Sequence, residues 1–495
     1  MDHASLRAQL ARTGALPMSA VVRLARETAA SGGRALLVGG YVRDALLGRE
    51  SDDADIEVYG LPADALEALL VRLFPERVNA VGRAFGIFRV ALAPGLDLDV
   101  SLPRTESKTG AGHRGFAVHG DPSLSFEQAS RRRDFTVNAL ACDLATGEIL
   151  DAHGGLDDLA SGVLRAVDPR TFPEDPLRVW RAFQLAARLG FALDGATAKL
   201  MRGIVARGEL AELSRERVTE ELRKLLAAAR PSIGLALALD AGALGAAFPE
   251  LAALAATPQD PEWHPEGDVW THTLMVVDQA AAVVRAGTWG LTGPEAAHVL
   301  LGCLVHDVGK APTTQEGVKD GRTRIVSPRH EVEGESLARA ILDRLTFGEE
   351  AARAVLAIVR WHLAPGSLYY ALERGELATR SYTNAVRKLL KRIHPVRWQV
   401  LLAACEGDWR GRGIDGVLTL PFDPGLRFAR AVAEDQLDVA PAVPLVQGRD
   451  VLVLGIPAGP RVGDLIREVE DARDRGEIRT REEALDLLRR LAASS

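Results

Sequence analysis

The sequence predicts an α/β domain, with a mixed sheet covered by helices, followed by a long all-α region. Short strand patterns alternate with helices over about residues 34–150. Beyond about residue 155, nearly every segment has helical spacing and few β-branched residues. A chain of 495 residues is long enough for several domains.

The composition favours a soluble, cytoplasmic protein and argues against a membrane protein. Hydrophobic residues make up 47% and charged residues 26% of the chain, and no apolar run approaches a membrane span. Residues 1–12 lack the apolar centre of a signal peptide. The cysteines, Cys142, Cys303 and Cys405, lie far apart and form no CxxC pair, so we expect buried, reduced thiols.

The charge of the chain limits how it can bind nucleic acid. A formal net charge of −7 argues against broad, non-specific binding, but it leaves room for a local basic surface. Basic groups occur at residues 131–133, 215–224 and 388–397. Each of these is more often a solvated helix face than an RNA contact. The RNA interpretation gains weight only because an enzyme motif lies nearby.

The elements follow in order from local patterns. A leading amphipathic helix is predicted over residues 1–30. Strands are predicted at residues 35–38, 56–58, 86–92 and 96–102, the last from a strict alternation of apolar and acidic residues. Helices are predicted at residues 178–189 and 217–229. A proline-rich stretch then precedes two final helices at residues 462–475 and 481–493.

The most informative segment, residues 36–58, reads LLVGGYVRDALLGRESDDADIEV. A strand runs into Gly39 and Gly40, where backbone N–H groups can approach a phosphate, and a helix carrying Arg43 follows. Asp53 and Asp55 are spaced to share one face of a strand. Two adjacent carboxylates repel unless a cation lies between them, and a hard divalent metal is the obvious candidate. Together these features indicate metal-assisted nucleotidyl transfer, although either half alone is usually a plain turn or a solvated loop.

GGxVRDxLLGR followed by DxD resembles the head-domain signature of the class II tRNA nucleotidyltransferase and poly(A) polymerase family. The resemblance implies that Asp53 and Asp55 hold Mg²⁺ and that the glycine turn and its helix contact the nucleotide. The segment LDVSLPRTESKTG, residues 98–110, resembles the family's third acidic strand followed by a turn. Asp99 would then lie across from the other two carboxylates and help activate the 3′-hydroxyl. Asp97, on the same face, is the competing assignment.

Two further motifs fit the same family. RRRDFTVNAL, residues 131–140, resembles its RRDFTxNA motif and implies that Arg133 contacts the triphosphate. EDPLRVWR, residues 174–181, resembles its EDxxR motif, which selects CTP and ATP. On a helix Asp175 and Arg178 would share one face, either as an ordinary surface salt bridge or as a mimic of a Watson–Crick edge. Arg181 would face the same pocket.

A second constellation resembles the HD-domain metal-dependent phosphohydrolases. An HD dipeptide follows an apolar helix, and another histidine lies upstream in DVWTHTLMVV. Histidine nitrogens and carboxylate oxygens suit a divalent metal of unidentified kind. The predicted ligands are His272, His306, Asp307 and, by resemblance, Asp408. His330 and His362 are open between further ligands, substrate contacts and plain surface histidines.

The order of these motifs resembles the HD-containing tRNA nucleotidyltransferases over nearly the whole chain. The predicted domains are an N-terminal helix (1–30), a nucleotidyltransferase head (31–155), a helical neck for nucleotide selection and RNA binding (156–255), an HD domain (260–415) and a helical tail (416–495). We expect addition of CCA to tRNA from CTP and ATP. The alternatives are a poly(A), CC-adding or A-adding enzyme, an HD phosphohydrolase or 2′,3′-cyclic phosphodiesterase with an inactive head, and a pure RNA-binding module. The oligomeric state stays open.

Overall fold

The computed structural model of the chain describes residues 18–51, 54–82, 86–93, 96–108, 116–319, 321–437, 445–457, 459–474 and 477–493. The leading helix is α1, Met18–Ala30. Residues 1–17 and the predicted metal ligand Asp53 lie outside the described residues. The three cysteines are buried and in the thiol form, as predicted.

The head is built on a mixed sheet, as predicted. Its strands order as β3-β4-β5-β2-β1-β8-β9, and β2 and β5 are parallel while the other neighbours are antiparallel. The four predicted strands are confirmed as β1, β2, β4 and β5. The head strands β1 to β9 are Arg34–Val38, Asp55–Tyr59, Val78–Gly82, Ile87–Ala93, Leu96–Ser101, Arg104–Lys108, Phe116–Gly120, Ala141–Asp143 and Ile149–Leu150.

The segment after β5 corrects the sequence prediction. Residues 104–108 were expected to form a turn, but they are strand β6, which pairs with β7 as a separate antiparallel hairpin. The alternating residues Arg-Thr-Glu-Ser-Lys contain no glycine or proline, so nothing in them forces the chain to turn.

Helices cover both faces of the head sheet. On one face, Leu37, Ile56 and Val58 pack against α1 and α3. On the other face, Leu36 and Val38 pack beneath α4. The head helices α2 to α5 are Gly40–Leu46, Ala63–Leu73, Phe126–Ser130 and Gly155–Ser161. Because alternate residues of β2 point to opposite faces, Asp55 and Glu57 lie on the side of α4.

The rest of the chain is largely helical. The neck helices α6 to α11 are Leu177–Leu189, Gly195–Ala206, Arg215–Leu226, Pro231–Asp240, Ala243–Ala247 and Pro249–Ala252. Helices α12 to α20 are Val269–Ala286, Gly293–Val305, Lys310–Thr313, His330–Asp343, Glu349–Trp361, Ala364–Glu373, Thr379–Ile393, Trp398–Arg410 and Asp423–Glu434. Short 3₁₀ segments are Thr136–Asn138, Phe172–Glu174, Glu209–Glu212, Ala253–Ala256 and Val417–Thr419. The small strands β10 to β13 are Val163–Leu164, Ala192–Leu193, Gln315–Lys319 and Arg322–Val326, and β12 and β13 form a hairpin that the sequence analysis did not predict.

One hydrophobic core runs from the neck through α20. The last helices, α21 to α23, enclose a small core of their own; they are Gly448–Leu452, Pro460–Asp474 and Arg481–Ala493. The two final helices are therefore close to their predicted bounds. Within the described ranges, no helix is both long and apolar enough to cross a membrane.

Candidate functional site

The first site lies where β1 ends and β2 begins. Asp55 is paired in parallel register with Asp99, and on its other side it faces Val38. Gly39 follows with φ 80°, a conformation that favours glycine. A Cβ on Gly39 would lie 2.8 Å from Nη1 of Arg133 and 4.0 Å from Oδ2 of Asp55. The structure therefore brings these predicted residues to one point of the sheet.

Arg133 is held in place by a residue that the sequence analysis missed. Its Nη2 donates to Oε1 of Glu57 at 2.9 Å, and Arg132 donates to the same oxygen at 3.1 Å. The hydroxyl of Tyr59 donates to the other oxygen at 2.8 Å. Burial alone would raise the pKa of Glu57, but the two guanidinium groups lower it below its ordinary value. Glu57 is two residues beyond Asp55, so the period of the strand was the signal that could have found it.

Arg43 lies behind the glycine turn rather than in the open site. Its side chain is 3% exposed and donates twice to Asp44, at 2.9 and 2.8 Å, and once to Asn138. Arg188 also donates to Asp44, at 2.8 Å. A Cβ on Gly40 would lie 3.4 Å from Nη2 of Arg43. This geometry makes Arg43 a support for the glycine turn.

Asp134 fixes the loop that carries Arg133. It accepts from the backbone N–H of Phe135 at 2.8 Å, from Asn138 at 2.9 Å and from Nε of Arg181 at 2.7 Å. Burial alone would raise the pKa of Asp134, but Arg181 and the hydrogen bonds lower it to about 2. The carboxylate therefore stays charged, and Arg181 is tied to the head loop.

The expected placement of both Asp175 and Arg178 on one helix is wrong. Asp175 lies before α6 in an extended conformation, because Pro176 disfavours helical geometry in the residue that precedes it. Its carboxylate accepts from Nη2 of Arg217 on α8 at 2.8 Å. Arg178 is buried and donates to the backbone carbonyl of Thr171 at 2.8 Å.

The second site gathers the predicted HD residues. Nε2 of His272 lies 3.1 Å from Oδ1 of Asp408, and Nε2 of His306 lies 3.2 Å from Oδ2 of Asp307. His272 is on α12, which begins after the N-cap Asp268, and His306 ends α13, which begins with a capping box at Thr292. All four predicted ligands converge between α12, α13 and α19.

His330 and His362 complete the cluster on the other side of Asp307. Their Nε2 atoms lie 3.3 and 3.7 Å from Oδ1 of Asp307. They are 7% and 4% exposed, so the surface-histidine interpretation is wrong. The sequence left their role open because they are distant in sequence from the HD pair: His330 begins α15 and His362 follows α16.

The four imidazole rings are each oriented by a contact at the Nδ1 atom, on the side away from the centre of the cluster. Nδ1 of His306, His330 and His362 each contacts a backbone carbonyl at 2.8 to 2.9 Å, and Nδ1 of His272 contacts Glu266 at 2.8 Å. This turns each Nε2 toward the centre, as in metal-binding histidines. Among the described residues, buried atoms without a hydrogen-bond partner include Nε2 of His306 and His330 and Oδ1 of Asp307. The donor set therefore fits divalent metal.

The charges of this cluster are strongly coupled. Burial alone would lower the pKa of His272, but hydrogen bonds with Asp408 and Glu266 raise it to about 9. Burial and the charge of His306 lower the pKa of His362 to about 4. The pKa of Asp408 is lowered, because the histidines outweigh its burial. Carboxylates held in the charged form are suited to metal binding.

A cavity of about 480 Å³ opens from this cluster to the surface. Lys310 lies at its inner end, with Nζ 2.7 Å from Oδ2 of Asp307. At the outer end are two unusually exposed aromatic side chains, Trp263 at 51% and Tyr370 at 42%. The cavity thus joins a cationic, metal-fitting end to an aromatic mouth.

Three regions of the chain match known protein families. The family described as "Poly A polymerase head domain" matches residues 35–165, "Probable RNA and SrmB- binding site of polymerase A" matches 190–254, and "HD domain" matches 269–392. Head and HD domains of these kinds generally use divalent metals.

Relatives match along most of the chain. The multifunctional CCA protein of Xanthomonas campestris pv. campestris (strain B100) is 38% identical, over 87% of this chain and 95% of the relative. The multifunctional CCA protein of Stenotrophomonas maltophilia (strain K279a) is 40% identical, over 76% of this chain and 86% of the relative. The fold is similar to that of the Thermotoga maritima CCA-adding enzyme complexed with tRNA, with a TM-score of 0.57, 18% identity and coverage of 99% and 98% of the two chains.

Proposed function

The chain belongs to the family of multifunctional CCA proteins, and on that premise we propose that it adds C, C and A to the 3′ ends of tRNA from CTP and ATP. The observation that carries this proposal is the meeting of Asp55, Asp99, Gly39 and Arg133 at one end of the head sheet. Such a site can hold a triphosphate beside carboxylates that bind metal.

The head carboxylates fit Mg²⁺, because their hard oxygen donors lie level on neighbouring strands. Asp53 and Asp55 would hold the ions, and Asp99 would orient the 3′-hydroxyl of the tRNA. Bound Mg²⁺ neutralises the charge that develops at the attacked α-phosphate and on the leaving pyrophosphate. Arg133 binds the triphosphate, and the Gly39 turn lets backbone approach it closely.

Base selection is assigned to Asp175, Arg178 and Arg181. The carboxylate of Asp175 is partly exposed and is fixed by Arg217, so its direction is set before a nucleotide arrives. Arg178 donates from Nη1 to the carbonyl of Thr171 and from Nη2 to the carbonyl of Arg132, which orients its planar fork. Acceptor and donor groups held in this way can match the edges of cytosine and adenine.

The HD site is proposed to hydrolyse phosphoesters. One ion would be held by His272, His306, Asp307 and Asp408, and a second by Asp307, His330 and His362. Divalent ions held by these residues would activate water and stabilise the charge on the phosphoryl oxygens. Lys310 adds a cation at the same end, while the aromatic mouth can stack on a nucleobase.

The test is incubation of the protein and Mg²⁺ with tRNA transcripts that end before CCA, after C and after CC. Stepwise addition ending at CCA is expected, and Asp55→Ala should abolish it without changing the circular dichroism spectrum. Products that stop at CC, gain only A, or run into a poly(A) tail would each replace the proposal with a narrower polymerase. Phosphate release without any nucleotide addition would leave the HD domain as the only working enzyme. A fully active Asp55→Ala variant would refute the head metal assignment.

A further inference from the structure

A protein cation already contacts the head carboxylates. Arg89 on β4 is the antiparallel partner of Asp99 on β5. Its neighbours Phe88 and Val90 are fully buried, so the alternation of the strand places Arg89 on the opposite, open face. Its Nε donates to Oδ1 of Asp99 at 2.8 Å, and its Nη2 donates to Oδ2 at 3.1 Å.

This fork engages both oxygens of the carboxylate. Asp97, two residues earlier on the same face, lies 3.9 Å from Nε of Arg89. Asp55 is level with Asp99 on the neighbouring parallel strand. The carboxylates of Asp55, Asp97 and Asp99 would otherwise repel one another. The single guanidinium of Arg89 neutralises part of their negative charge. Arg89 therefore lies next to the place where the nucleotidyl-transfer proposal puts metal, because Asp99 is the register partner of the proposed ligand Asp55.

We propose that Arg89 is an internal counter-ion of the head: it orients Asp99 in the metal-free chain and competes with the divalent ion for that carboxylate. The inference rests on the proposed function of the head, in which Asp55 holds metal and its register partner Asp99 orients the 3′-hydroxyl. Arg89 is a positioning residue, because it acts through Asp99.

The geometry allows such an exchange. The side chains of Arg89 and Asp99 are 48% and 36% exposed, so solvent screens their attraction and the pair opens readily. A divalent ion near Asp99 is repelled by the guanidinium until the long side chain moves away. Removing the guanidinium should therefore tighten divalent binding at the head by about fivefold, which is a modest electrostatic effect for exposed charges.

The test compares Arg89→Ala with the wild type and with Arg72→Ala. Arg72 is a matched control, since it is an exposed arginine of the head that pairs with Glu27 at 3.4 Å. Free Mn²⁺ is measured by electron paramagnetic resonance during titration of the full chain. The same titration is repeated with Asp55→Asn. The Mn²⁺ binding that this variant loses belongs to the head site, and the binding that it keeps belongs to the HD site.

Arg89→Ala should bind Mn²⁺ more tightly at the head than the wild type does. Its melting temperature in EDTA should be lower than that of the wild type, and adding Mg²⁺ should raise this temperature by more. Arg72→Ala should behave as the wild type in both measurements. Unchanged or weaker Mn²⁺ binding in Arg89→Ala would overturn the inference, and a raised KM for tRNA in that case would make Arg89 an RNA contact. Failure of the proposed function has a different signature, because wild type would then add no nucleotide and Asp55→Asn would remove no binding component.

Discussion

Glu57→Gln is the most direct test of whether Glu57 holds Arg133 in the position proposed for binding the triphosphate. The buried carboxylate binds two guanidinium groups through one oxygen and a hydroxyl through the other. The substitution keeps the size of the side chain and removes its charge. Arg132 and Arg133 then lose their shared counter-ion, and Arg133 is no longer fixed beside Gly39.

The expected loss of stability follows from the burial of Glu57 and its two arginine partners. Glu57 is 2% exposed, and the side chains of Arg132 and Arg133 are 20% and 15% exposed. Removing one partner of a buried ion pair costs about 3–5 kcal/mol, and the remaining amide oxygen should limit the loss to about 3 kcal/mol. Loss of a fixed, charge-assisted contact to the triphosphate should raise the KM for CTP and ATP by about tenfold.

The assay is steady-state CTP incorporation on a tRNA transcript lacking CCA, alongside urea unfolding. Tyr59→Phe is the matched control, because it removes one hydrogen bond to Glu57 and leaves both guanidinium contacts. It should lose about 1 kcal/mol of stability and keep the wild-type KM. A Glu57→Gln enzyme that unfolds at lower urea yet keeps its nucleotide KM would refute the positioning argument and leave Glu57 a purely structural residue.

Three other predictions follow from the described contacts. Asp175→Ala should loosen the choice between CTP and ATP, measured by single-nucleotide addition; an unchanged preference counts against base reading. His330→Ala should lower the metal bound per HD site from two ions to one, measured by elemental analysis, with CCA addition intact. The pKa of Asp134 is about 2, below its ordinary value of 3.8, so its stabilising effect is present above pH 3.8 and is lost as pH falls toward 2. The stability advantage over Asp134→Asn should therefore shrink by about 1 kcal/mol between pH 5 and 3, measured by urea unfolding; a constant difference would refute this linkage.

The sequence predicted those features whose signal is local and periodic. Alternation identified β2 and β5, and their acidic residues meet because the strands pair in parallel register. Glu57 was missed, since a glutamate within a strand looks like a solvated residue until its arginine partners are known. Residues 104–108 carry no turn former, and only pairing with β7 defines them as a strand. These failures concern long-range pairing, which a local pattern does not encode.

The HD cluster also combines residues that a local motif predicts with residues that only long-range packing brings together. His306 and Asp307 are adjacent in sequence, so their pairing needed only a motif. His330 and His362 come from α15 and from the residue after α16, and only the packing of α16 on α13 and of α15 on α16 brings them to Asp307. Resemblance supplied Asp408, which local spacing alone would have left as one acid among many.

One helix of the neck contacts elements of both sites and so connects them physically. Helix α8 carries Arg217, which fixes Asp175 of the base-selection group. The same helix carries Thr219, whose hydroxyl accepts from the backbone N–H of Thr346 at 3.0 Å, and Arg215, which donates to the carbonyl of Asp343 at 2.9 Å. Asp343 is the last residue of α15, and Thr346 lies between α15 and α16, the helices that position His330 and His362. One helix therefore supports both Asp175, the carboxylate proposed to select the nucleotide, and the frame of the HD site, while the metal-fitting atoms of each site stay on separate elements.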